Sequence, residues 1–189
     1  MSTSRWEAQM YDHKLDPVSG PPPMHRLEYF GPAASGASYN RGAVVSADST
    51  GALVAGCPVG TVGNRPMPMF ALQGTADLDV YSDPYNLGDN TPSALPATGG
   101  YELATTEFVQ TANGDTVAYA VNDFLTCTET GQLTLANADA GNTDKPIVGV
   151  VSVANNGGIK NAIGRNTVSN YGKPLLHFWT VFFPCVSAE

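Results

Sequence analysis

Positive charge is scarce in this chain. Only 9 of its 189 residues are Lys or Arg, against 17 Asp or Glu, so the formal net charge is −8. Proteins that bind nucleic acid need a basic face that displaces counterions from the phosphates. The composition therefore argues against a nucleic-acid-binding protein.

The familiar signatures of enzymes and metal proteins are also missing. The sequence has no CxxC, GxSxG, HExxH, GxGxxG or P-loop motif and no calcium loop of the EF-hand type. Its opening residues carry no apolar core of a signal peptide, and no run reaches the ~20 apolar residues of a membrane-spanning helix. We therefore expect no catalytic residues, no metal, no cofactor and no membrane partner, in a protein made in the cytoplasm.

Cysteine is rare and widely spaced. Cys57, Cys127 and Cys185 are odd in number and show no pairing or metal-ligand spacing. Thiols of this kind are typically buried and reduced in proteins made in a reducing compartment. We expect three free thiols.

The chain is rich in glycine and proline and poor in charged residues. The chain has 20 Gly and 14 Pro but only 14% charged residues, where about 25% is usual. No segment carries a convincing helical stripe, and short apolar runs alternate with turn residues. These features predict an all-β fold, a compact β-barrel or β-sandwich of the β-tulip or jelly-roll type, with one domain over residues 41–189.

Residues 1–40 are predicted to be an extended N-terminal arm. Pro21 to Pro23 favour polyproline II and prevent a helix from propagating. A merely flexible tail would have little use for large apolar side chains. We expect the arm to become ordered on a neighbouring protein, the alternative being that it folds back on its own domain. The expected contact residues are Trp6, Met10, Tyr11, Leu15, Leu27, Tyr29 and Phe30.

Residues 64–100 are predicted to be a long proline-rich insertion. Five prolines interrupt this stretch, and only "MFALQ" and "LDVYS" have the composition of strands. We expect the rest to be a surface loop.

Two hairpins share one pattern. In residues 42–60 two apolar runs flank a turn that ends in Thr50-Gly51, and "FLTCTETGQL", 124–133, aligns on 44–53 without gaps. The match indicates an internal duplication, with chance similarity between two hairpins as the alternative.

The last third of the chain is the most strand-like. Val117, Tyr119 and Val121 alternate with small residues, and the run at 145–154 is typical of a strand covered on both faces. The closing segment "KPLLHFWTVFFPC" is apolar on both faces of a strand, so one face should meet the core and the other a second surface. The residues expected in the core or a subunit interface are Leu175, Phe178, Trp179, Phe182 and Phe183.

Charge is divided along the chain. Residues 66–144 hold acids and no Lys or Arg, whereas residues 145–188 hold bases and no acid. A molecule with two oppositely charged surfaces is suited to packing beside copies of itself, although acidic solvated loops would give the same pattern.

Residues 107–152 resemble the β-rich cement, or head-decoration, proteins of tailed bacteriophages. The resemblance lies in the Asn113-Gly114-Asp115-x-Val117 strand, the Gly131 turn, the Ala136-Asn137-Ala138-Asp139 loop and the Ile147-Val148-Gly149-Val150 strand. It implies a non-enzymatic homotrimer on the outer surface of the virion, which clamps adjacent major capsid proteins.

Two alternatives remain open. Repeated short β units also suit a phage head-fibre or tail-tip subunit. A carbohydrate-binding β-sandwich would instead expose aromatic platforms, for which Trp6, Tyr81 or Tyr85 could serve.

Overall fold

The computed structural model describes residues 15–19, 29–58, 66–75, 93–97, 99–112, 114–136, 145–154 and 174–183. These residues form strands and turns and contain no α-helix, which confirms the all-β prediction. The strands are β1 (Leu15–Ser19), β2 (Tyr29–Phe30), β3 (Val44–Ala47), β4 (Leu53–Ala55), β5 (Met69–Ala71), β6 (Ser93–Pro96), β7 (Glu102–Thr105), β8 (Thr111–Ala112), β9 (Asp115–Thr116), β10 (Phe124–Cys127), β11 (Leu133–Leu135), β12 (Ile147–Val153) and β13 (Leu176–Phe183).

The strands assemble into two large sheets and one small ribbon. The five-stranded sheet has the order β2-β6-β5-β3-β4, and the six-stranded sheet has the order β1-β7-β13-β12-β10-β11. Strands β8 and β9 pair as a separate two-stranded ribbon. All these strand pairs are antiparallel.

The two large sheets pack face to face around one core. Phe70 of the five-stranded sheet meets Phe178 of the six-stranded sheet, with ring centroids 5.2 Å apart. Both rings are fully buried, and they belong to one cluster with the inward side chains of both sheets. The described residues thus form a β-sandwich, in which each sheet is stabilised by the apolar face of the other.

Each sheet is built from a copy of the same unit. In the β3–β4 hairpin Val45 pairs with Ala55, and in the β10–β11 hairpin Leu125 pairs with Leu135, at positions 80 residues further along the chain. The third strand keeps the same offset: Val45 pairs with Met69 of β5, and Leu125 pairs with Gly149 of β12. We call β2–β6 the N-terminal unit and β7–β13 the C-terminal unit.

Hydrogen bonds repeat between the units as well. The turn N–H of Gly51 donates to Asp48 O, and that of Gly131 donates to Thr128 O, each at 3.0 Å. Both glycines have a φ of 84°, in the left-handed region that favours glycine. In the N-terminal unit, Ala33 forms a parallel bridge with Leu53 of β4. In the C-terminal unit, Phe108 forms a parallel bridge with Leu133 of β11. The structure therefore confirms the duplication that the two hairpin sequences indicate.

The two units also contact each other through the backbone. The Val44 N–H of β3 donates a hydrogen bond of 2.7 Å to the carbonyl of Gly131, in the β10–β11 turn. A Cβ added at Gly131 would overlap the Val44 carbonyl oxygen, and a Cβ added at Gly56 would lie 2.9 Å from Thr128 O. Glycine at these two positions lets the turn of the C-terminal unit reach the N-terminal unit.

The described parts of the predicted arm lie in the sheets of their own chain. Strand β1 pairs with β7, and β2 pairs with β6. Leu15 is buried in the shared core, which corrects the expectation that it contacts a neighbouring protein. From Tyr29 onward the chain is part of the N-terminal unit, and β1 is already part of the six-stranded sheet, so a free arm would end before residue 15. Trp6, Met10, Tyr11 and Leu27 lie outside the described residues.

The proline-rich stretch contributes more strand than its composition indicates. The prediction for "MFALQ" is confirmed by β5, whereas "LDVYS" lies outside the described residues. Residues 93–96, predicted to be loop, form β6 and pair with both β5 and β2. Pro96 ends that strand, where its missing N–H costs no interior ladder bond.

Two of the three strands predicted in the last third of the chain are confirmed. Strands β12 and β13 confirm the two apolar runs, but β12 keeps three half-buried residues, Ile147, Val150 and Ser152, and so is not fully covered on both faces. Residues 117–121, predicted to be a strand, form none. Tyr119 instead donates from its hydroxyl to Val109 O at 2.6 Å and packs its ring edge-on against Phe108.

The close approach at Gly131 gives a stability prediction. Replacing Gly131 with Ala should lower the free energy of unfolding by about 3 kcal/mol, because a left-handed non-glycine residue costs ~1–2 kcal/mol and the overlap with Val44 adds a similar amount. Gly114→Ala is the matched control, since Gly114 has a φ of 89° and no atom within 4 Å of the added Cβ. Urea unfolding of both variants measures the difference, and equal losses would contradict the contact between the units.

Candidate interaction surface

A row of apolar side chains crosses the outer face of the six-stranded sheet. Phe124 of β10 pairs with Val150 of β12, and Val150 pairs in turn with Trp179 of β13. Directly opposed residues in antiparallel strands have Cβ atoms about 4.5–5.5 Å apart and point to the same face. The three side chains are therefore contiguous, and we call Phe124, Val150 and Trp179 the exposed row.

The side chains at both ends of the exposed row are accessible to solvent although they are large and apolar. Phe124 is 48% exposed and Trp179 is 41% exposed, while Val150 between them is half-buried. Val121, just before β10, is 51% exposed. Contiguous exposed apolar groups on an ordered sheet are typical of a surface that another protein covers.

The strands beneath the row are held by tight packing on the inner face. Gly149 lies next to Val150 in β12, and a Cβ at Gly149 would lie 2.8 Å from the Phe178 ring and 3.5 Å from the Leu125 side chain. The ring of Phe178 thus occupies the space above a glycine. Because core packing of this density resists displacement, the row is presented on a rigid support.

A carboxylate lies next to the row. Trp179 pairs with Glu102 of β7, which is almost fully buried. The Ser152 hydroxyl donates a hydrogen bond of 2.5 Å to Glu102 Oε1, joining β12 and β7 across the intervening β13. This contact ties together the three strands at one end of the row.

The same row exists in the N-terminal unit, but there it is buried. By the register of the duplication, Phe124 corresponds to Val44, Val150 to Phe70 and Trp179 to Leu95. These three N-terminal residues are 0–1% exposed, because the inner face of the C-terminal unit packs on them. The exposed row is thus one of two equivalent surfaces, and the chain covers only the other one.

The closing-strand prediction divides between the two faces of β13. Leu175 and Phe178 are buried, whereas Trp179 is on the solvent side. Phe182 and Phe183 belong to β13, and their side chains lie outside the described residues. Sequence reasoning did not identify Phe124 or Val150 as part of this surface. The alignment of the two hairpins was the available signal, since it placed Phe124 on Val44.

The described part of the chain has two thiols but no candidate metal site. It contains no group of three His, Cys, Asp or Glu side chains arranged to hold a metal ion. It also contains no helix suited to crossing a membrane. Cys57 and Cys127 are free and buried in the shared core, as predicted, while Cys185 lies outside the described residues.

Burial controls the ionisation of both thiols. It raises the pKa of Cys57 to about 12, with a smaller contribution from the nearby Cys127. It also raises the pKa of Cys127 to about 11, an effect opposed by a hydrogen bond from the Cys57 backbone and by Lys145. Because the thiolate is the nucleophile, neither cysteine is reactive at neutral pH while the protein is folded.

The raised pKa values predict a loss of stability at alkaline pH. The unfolded thiols ionise near pH 9.0, whereas the folded ones stay protonated to about pH 11–12. Their stabilising contribution is therefore complete below pH 9 and is lost as the pH rises through the folded pKa. Each thiol should lower the free energy of unfolding by about 1.4 kcal/mol per pH unit in that range. Urea unfolding at several pH values measures this slope, which should be shallower in Cys57→Ala; an unchanged slope would contradict the burial of that thiol.

Comparison with known proteins gives the exposed row no precedent. The chain matches no protein-family model, no curated protein and no solved structure.

Proposed function

We propose that this protein is a structural component of a bacteriophage virion, a cement protein that binds the outside of an icosahedral capsid and clamps adjacent major capsid proteins. The observation that carries the proposal is the exposed row of Phe124, Val150 and Trp179 on a rigid sheet. A flat apolar surface on an ordered support suits docking to protein. The protein would act as a homotrimer, without catalysis.

The segment that resembles cement proteins supports the proposal through its position in the fold. Residues 107–152 form the β8–β9 ribbon, the β10–β11 hairpin and most of β12. These elements supply two of the three residues of the exposed row. The resemblance and the candidate surface thus concern the same part of the molecule.

The capsid contact is assigned to the residues before β1. Strand β1 pairs at the edge of the six-stranded sheet, and Leu15 at its start is anchored in the core. Residues 1–14 directly precede that strand in the sequence and contain Trp6, Met10 and Tyr11. A segment rich in apolar groups next to a rigid anchor can bind along a neighbouring surface and become ordered there.

Deleting residues 1–14 tests this assignment. The truncated protein should keep its unfolding midpoint to within a few degrees, because Leu15 and the two edge strands of the six-stranded sheet, β1 and β11, remain. It should nevertheless lose most of its occupancy on purified capsids. A full-length protein carrying Trp6→Ser, Met10→Ser and Tyr11→Ser is the matched control for chain length and should behave like the truncation. Undiminished occupancy of both variants would contradict the role of the segment.

The number of copies per particle distinguishes cement from the closest alternative. A cement protein would be present in hundreds of copies, whereas a head fibre or tail tip would contain a handful. The carbohydrate-binding alternative depends on Trp6, Tyr81 and Tyr85, which lie outside the described residues.

A further inference from the structure

We infer that the exposed row of Phe124, Val150 and Trp179 is the surface through which a second copy of this chain binds. The inference rests on the self-association that is part of the proposed function. It does not depend on the identity of the particle, and it names residues of the interface rather than the number of subunits.

The duplication provides a covered counterpart of the exposed row. The equivalent row in the N-terminal unit, Val44, Phe70 and Leu95, is completely buried. What covers it is a β unit of this same chain, with Phe178 at its centre. The covering face around Phe178 is already occupied in every copy, so the apolar surface that a second copy offers is its own exposed row, and two exposed rows can cover each other.

The composition of the row also favours contact with another protein. All three positions are apolar in both units, although only the N-terminal row is covered within the monomer. Trp179 stands where the N-terminal unit has Leu95 and Phe124 stands where it has Val44, whereas Val150 stands where it has Phe70, so the uncovered row carries an aromatic group at each end. Large aromatic groups are typical energetic anchors of protein interfaces.

A backbone donor lies at the end of the row. The Val44 N–H donates to Gly131 O across the contact between the units. At the equivalent position, the Phe124 N–H has no such acceptor from the other unit among the described residues. Ala136 stands where Gly56 admits the turn in the N-terminal unit, so a second copy meets this end without repeating that close approach.

Sedimentation of the purified full-length protein and of one double variant tests the inference. The wild type should associate at micromolar concentrations, and Phe124→Ser with Trp179→Ser should weaken that association more than about 100-fold, at roughly tenfold or more for each lost anchor. Both side chains are far from fully buried, so the variant should still unfold cooperatively.

A matched control uses another exposed apolar residue. Met67 is 40% exposed in the N-terminal unit and outside the row, so Met67→Ser should leave the association unchanged. Replacing Phe124 with the photocrosslinker p-benzoylphenylalanine should join two copies on irradiation, whereas the same replacement at Met67 should not. The crosslinking result does not depend on the stability of the serine variant.

The outcomes separate this inference from the proposed function. A monomeric wild type, or a double variant that associates as the wild type does, overturns the inference. If the double variant associates normally but no longer binds capsids, the row is the capsid contact, and the inference fails while the proposed function stands. Loss of association with retained capsid binding supports the inference.

Discussion

The packing of Val44, Phe70 and Leu95 onto the six-stranded sheet is the contact on which the rest of the structure depends. It buries one face of the N-terminal unit and completes the core of the C-terminal unit. Two units in one chain have two such faces, and a single contact covers only one of them. The exposed row is therefore a consequence of how the duplicated fold closes, and its large aromatic groups make that exposure costly for an isolated molecule.

Glycine makes the contact between the units possible. At Gly131 the chain turns with a positive φ and also approaches the Val44 backbone too closely for any side chain. Gly51, its equivalent, has the same φ in the N-terminal unit. Each unit thus has a turn of the same conformation, but only the turn of the C-terminal unit contacts the other unit. The two units are therefore not equivalent in the folded chain: the row of the N-terminal unit is covered, and the row of the C-terminal unit is exposed.

Local patterns predicted the parts of the fold that depend on local chemistry. The Thr-Gly turns and the flanking apolar runs identified both hairpins, and the β-branched run identified β12. Burial of the faces was not predictable in this way, because Leu95 and Trp179 are both apolar strand residues and differ only in whether a distant sheet covers them. The burial of Leu15 was missed for the same reason, because it requires pairing with the distant strand β7. Residues 117–121 were wrongly predicted to be a strand because the hydrogen bond from the Tyr119 hydroxyl to Val109 holds this segment in a non-strand conformation.

The solvent accessibility of Trp179 tests the central claim most directly, that the row is covered by another protein molecule. A Trp6→Phe variant leaves Trp179 as the only tryptophan, so acrylamide quenching of its fluorescence reports on the row alone. The account predicts strong quenching in dilute solution that falls as the protein concentration rises and copies associate. Quenching that stays equally strong in the associated protein would contradict it.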